Sequence, residues 1–183
     1  MMNTLNKIQK LAKIGRVLSQ IAFVCAVVAF CGCVAGLLSA TLGNGDVIRW
    51  GGVMLHGIIA HSERYDLKSI SAALAGLLFV CAGEAVLAKF AACYFKKELK
   101  AGTPFTLSGA KELLRLGILA VAIPLGCALA ASITEGIMAG YMPVDRELLS
   151  NLRLDNEGSV ALGIMFMVAS LLCRYGAEQV SEK

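Results

Sequence analysis

No charged residue falls between Arg16 and Asp46, between Arg115 and Glu135, or between Glu157 and Arg174. Charged residues make up only 16% of the chain and hydrophobic residues 57%, against roughly 25% and about 45–50% in soluble domains. A bilayer core of about 30 Å needs roughly 20 apolar residues in a helix. The first two uncharged windows meet that directly, and the third meets it if Arg174 extends its head to the interface. A fourth apolar run, about Ile70 to Phe95, carries Glu84 and Lys89. A water-soluble all-α protein would need polar helix faces, and these segments are apolar all round.

Other absences narrow the chemistry. There is no G-x-x-x-x-G-K-[ST], no H-E-x-x-H and no G-x-S-x-G, so nothing points to nucleotide, zinc-protease or serine-hydrolase chemistry. The reading is of a non-enzyme without a cofactor. No inverted repeat of the transporter kind is visible. None of the seven cysteines (25, 31, 33, 81, 93, 127 and 173) lies in a polar loop. They are expected to be thiols that pack as small hydrophobes. Cys31 and Cys33 form C-x-C rather than a redox C-x-x-C. His56 and His61 stand near Glu63 and Asp66, but a five-residue spacing does not put both on one helical face, so no metal site is assigned. The apolar stretch 50–61 reads as a short interfacial helix anchored by Trp50.

What is present fixes an orientation. The basic leader "MMNTLNKIQKLAKIGR" resembles the n-region of a signal peptide. The apolar run after it, about Val17 to Leu42, far exceeds the roughly 7–15 residues of a signal core, so it reads as a retained first span. Four spans put both termini on one side. With them lie Lys7, Lys10, Lys13, Arg16, Lys89, Lys96, Lys97, Lys100, Lys111, Arg115, Arg174 and Lys183, leaving Arg49, Arg64, Lys68, Arg146 and Arg153 opposite. The positive-inside rule then makes both termini cytoplasmic. Phe90, Tyr94, Phe95 and Tyr175 are expected at the inner interface, and Trp50, Tyr65 and Tyr141 at or beyond the outer one. The sequence thus predicts an all-α membrane protein, one integral domain over 1–183, in the cytoplasmic membrane. Its four transmembrane helices are expected near 17–42, 69–101, 106–140 and 158–178. The basic inner face suits anionic lipid headgroups and gives no reason to expect nucleic-acid binding.

The stretch "KKELKAGTPFTLSGAKELLRLG", 96–117, interrupts the apolar runs. Lys96, Lys97 and Lys100 complement a helix C-terminus, Gly102 suits the left-handed C′ position, and Pro104 follows at the usual distance. Thr103, before proline, is pushed toward extended geometry, and Thr106 is a good N-cap for the next helix, with Glu112 near its start. Folding back about Thr103 pairs Arg115 with about Phe90 or Ala91. The stretch is therefore read as a tight helical hairpin standing proud of the cytoplasmic face, with Phe105 in its turn.

"AGTPFT", the following "KELLRLG" and a last span ending "CRYGAEQVSEK" resemble the bacterial membrane-protein family called domain of unknown function 2975. The matching positions are Gly102, Thr103, Pro104 and Phe105, then Arg174, Gly176, Ala177 and Glu178. The shared four-span layout covers nearly the whole chain, while the matching motifs are short. It departs at the C-terminal end, where family members often continue into a short hydrophobic tail. It implies no activity, only a frequent gene neighbour, a small helix-turn-helix regulator, as a cytoplasmic partner.

Among single residues, Glu84 is the sharpest candidate. An acid at mid-membrane costs about 2.5–3.5 kcal/mol, so it normally faces the bundle interior or water. It is either a proton or cation site or an acid paired with a base on another span. Glu135 is expected at the outer interface. Pro124 is expected to kink the third span or leave a carbonyl unbonded. Gly32-x-x-x-Gly36, with Ala29 and Ala40, and Gly136-x-x-x-Gly140 are expected to be packing seams, or failing that a homo-oligomer face. Two functions follow: a membrane-bound interaction or regulatory partner acting through hairpin and termini, or a small transporter or channel subunit using Glu84.

Overall fold

The computed structural model describes residues 2–41, 67–101, 106–141 and 157–181. They form four helices: α1 (Met2–Thr41), α2 (Leu67–Ala101), α3 (Leu107–Tyr141) and α4 (Glu157–Ser181). All four are long and apolar enough to cross a membrane, as the three uncharged windows and the apolar run near 70–95 predict. The Gly102–Phe105 turn, the histidines, the 50–61 segment, Tyr65 and Glu182 lie outside the described residues.

The first helix differs from the expected boundary, beginning at Met2 rather than near residue 17. Most of the basic leader is Met, Leu, Lys, Gln, Ala and Arg, which all favour helix, and it holds no proline. The α-helix therefore runs from the charged leader into the apolar run without a break.

The chain divides into two compact units, one of Met1–Val24, Glu84–Pro124 and Asn156–Lys183, the other of Cys25–Gly83 and Leu125–Asp155. In the first, Tyr94 from α2 and Leu113 and Leu116 from α3 are buried together, flanked by Leu87, Ala91 and Phe95 from α2 and by Phe166, Ala169 and Cys173 from α4. Tyr94 thus packs inward, and its hydroxyl meets Glu98. The buried Ser170 hydroxyl donates to the Ala110 carbonyl at 2.7 Å, tying α4 to α3. Gly117 and Gly163 let the two helices cross backbone to backbone. A Cβ on Gly117 would stand 2.8 Å from the Gly163 oxygen, and one on Gly163 would stand 2.8 Å from the Gly117 oxygen. On α1, Gly15 receives the Phe95 ring, which a Cβ there would meet at 2.7 Å.

In the second unit Cys33, Ile70, Leu74 and Cys81 are buried, with Ala29, Leu37, Leu77 and Leu78 against them. Cys33 from α1 and Cys81 from α2 share this buried cluster. These two cysteines fill core space as expected, whereas Cys25, Cys31 and Cys93 are exposed on the helices. Gly36 admits the Leu74 side chain, so half of the expected α1 seam packs. At Gly32, Gly136 and Gly140 a Cβ would meet no neighbouring element within 4 Å. The Gly136–Gly140 pattern is therefore not a seam among the described residues. Glu135 is half-buried and its carboxylate lies over Gly76, where a Cβ would come within 2.5 Å of it. Pro124 is accommodated within α3, which continues to Tyr141.

Candidate functional site

The charged residues of α2 and α3 are concentrated where the two helices approach the 102–105 connection. Thr106 caps α3: its carbonyl accepts from Ala110 N–H at 2.9 Å and its hydroxyl from Gly109 N–H at 3.0 Å. That satisfies one of the donors a helix start leaves open. Lys97 Nζ donates to Glu112 Oε1 at 2.6 Å across the hairpin. The sequence marks Glu112 only as an acid near a helix start and gives no sign of this partner. Arg115 lies over the Phe90 ring, 5.5 Å from its centroid, the level that folding back about Thr103 requires.

A notch of about 150 Å³ opens in this hairpin, lined by Tyr94, Lys97, Glu98, Ala101, Thr106, Ser108, Gly109 and Glu112. On α4, Arg174 Nε donates to Glu178 Oε1 at 2.9 Å, an i,i+4 pair. Ala177 is buried and Gly176 half-buried, so the "RYGAE" stretch packs its small residues and leaves its charged ones outside. Both ion pairs are largely exposed, which limits each to about 0–1 kcal/mol. They orient side chains more than they hold the fold.

Glu84 stands apart from this cluster. It is exposed on α2, and among the described residues it has neither an ion pair nor a hydrogen bond. The basic partner that a structural pairing calls for is thus not seen among them.

A larger groove, about 380 Å³, lies between α1 and α2 and is lined by Arg16, Gln20, Phe23, Val24, Lys89, Ala92, Cys93 and Lys96. The Lys89 ammonium sits 5.0 Å over the Phe23 ring. The spacing of these residues is visible in the sequence, but nothing there says that the two faces meet. Among the described residues no group of three His, Cys, Asp or Glu is placed to hold a metal ion.

Comparison with known proteins adds no relative. No family model, no curated protein and no solved structure matches the chain.

Proposed function

We propose that this protein is a non-enzymatic interaction or regulatory partner in the cytoplasmic membrane, with both termini cytoplasmic, acting through the hairpin at 96–115. The observation that carries the proposal is the cross-pinned hairpin: Thr106 caps α3, Lys97 reaches Glu112 and Arg115 covers Phe90. Helix length supports it. The 35 residues of α2 extend about 52 Å at 1.5 Å per residue. Even at a steep tilt of about 40° they rise about 40 Å, more than the roughly 30 Å core. Some of α2 therefore stands in water, and its charged residues put the C-terminal end there. A preorganised surface loses less entropy when a partner binds. The resemblance to domain of unknown function 2975 suggests the partner, a small helix-turn-helix regulator.

The test is co-purification from the native membrane in mild detergent, comparing the wild type with a Lys97→Glu, Lys100→Glu, Lys111→Glu variant. A hairpin interface predicts that the regulator is captured by the wild type and lost from the variant at equal expression. Capture by both would reduce the hairpin to a structural turn.

A second reading, a small transporter or channel subunit, is favoured by one observation, the exposed Glu84 without a partner among the described residues. Glu84→Gln keeps the side-chain volume and removes the charge. If Glu84 has no transport role, proton and cation flux in reconstituted vesicles should match the wild type. Flux present in the wild type and abolished in the variant would transfer the function to Glu84.

A further inference from the structure

We infer that the groove between α1 and α2 is a binding site for one anionic phospholipid, its phosphate held by Arg16, Lys89 and Lys96 and an acyl chain lying along Phe23 and Val24. The inference rests on the membrane reading but not on which side the termini face.

The lining comes from two helix faces. Arg16, Gln20, Phe23 and Val24 are spaced i, i+4, i+7, i+8, and Lys89, Ala92, Cys93 and Lys96 are spaced i, i+3, i+4, i+7, so each set shares one side of its helix. Seven residues advance a helix about 10 Å, a span that fits a phosphodiester headgroup and the first carbons below it. The contents of the groove are one-sided. Three cations line it and no acid does. Among the described residues none of the three makes an ion pair. Like charges gathered without an acid repel one another, and a bound anion relieves that repulsion. Arg16 offers a planar fork suited to phosphate oxygens, and the lysines act as point charges.

The remaining walls decide between ligands. Phe23, Val24 and Ala92 are apolar and belong to helices long and apolar enough to cross a membrane. Exposed Val17, Leu18 and Ile21 continue the apolar surface on α1. A soluble anion gains nothing from such walls, whereas an amphiphile with a charged head and a hydrocarbon tail uses both parts. The Lys89–Phe23 contact holds the lysine over the aromatic ring at the groove wall. Basic pockets between membrane helices are a recurrent way of holding acidic headgroups.

The experiment uses the full chain in phosphatidylcholine vesicles, with trace spin-labelled phosphatidylglycerol or spin-labelled phosphatidylcholine reporting the motionally restricted, protein-bound fraction. The wild type should prefer the anionic label. Arg16→Gln, Lys89→Gln and Lys96→Gln should each lower the preference by about fivefold, as expected for one basic residue, and the triple variant should lose it. Lys89→Arg should retain it. Lys10→Gln with Lys13→Gln removes two exposed cations of α1 outside the groove and should leave most of it. Equal loss in the two sets of variants would mean diffuse surface attraction and would overturn the site. So would a wild type without preference, including one that instead takes up a soluble acidic peptide. Displacement of the anionic label by millimolar inorganic phosphate would make the site one for free phosphate and overturn the lipid assignment. Because the label reaches both leaflets, a reversed topology would leave these outcomes unchanged, so the two proposals fail separately.

Discussion

At the scale of single residues, glycines show most clearly what spacing tells and what it withholds. Gly136 and Gly140 have the four-residue interval of a packing seam, yet face open space among the described residues. Gly117 and Gly163 have no such signature in the sequence, and they are where α3 and α4 touch backbone to backbone. An interval says which residues share a helix face; it does not say whether another helix lies opposite. Gly163→Ala should therefore be destabilising by about 1–3 kcal/mol, because the atoms it meets include a carbonyl oxygen that cannot rotate away. Gly136→Ala should be neutral, or stabilising by up to about 1 kcal/mol, through helix propensity alone. Thermal unfolding of the two variants in one detergent checks the contrast, and the same shift in both would remove the α3–α4 crossing from the description. The buried Ser170 bond to the Ala110 carbonyl belongs to the same interface. Ser170→Ala should cost about 1 kcal/mol, the net value of one hydrogen bond.

At the scale of elements, the start of α3 is legible because capping is local. Thr106 and the residues that follow it in sequence carry the whole signal, and the cap forms where that signal places it. Thr106→Ala should cost about 1 kcal/mol. Faster amide hydrogen exchange at Gly109, with exchange deep in α3 unchanged, would register the lost cap. Unchanged exchange at Gly109 would mean that the hydroxyl contributes nothing there. The start of α1 is harder to read, because a basic leader before an apolar run looks the same whether it is extended or helical. The structure carries the helix through it to Met2. The partners of Lys97 and Lys89 are not legible at all. Glu112 and Phe23 are remote in sequence from them, and only the packing of neighbouring helices brings them within reach.

At the scale of the whole molecule, the four apolar helices follow from the distribution of charge along the chain. The uncharged windows account for α1, α3 and α4, and α2 tolerates Glu84 and Lys89 within an otherwise apolar run. The same charge distribution carries the proposed orientation, since an excess of Lys and Arg marks the cytoplasmic side. The hairpin as a cytoplasmic contact surface depends on that orientation more than on any single bond within it. Cysteine accessibility in intact cells tests it most directly. Cys93 is exposed beside Lys96 and the other native cysteines lie on the apolar helices, so a Cys93→Ser chain serves as the background for an impermeant maleimide. New cysteines at Ser62 and Ser150 should label from outside, and those at Asn3, Ser108 and Ser181 should label only after the cells are opened. Labelling of Ser108→Cys in intact cells would place the hairpin outside and contradict a cytoplasmic partner.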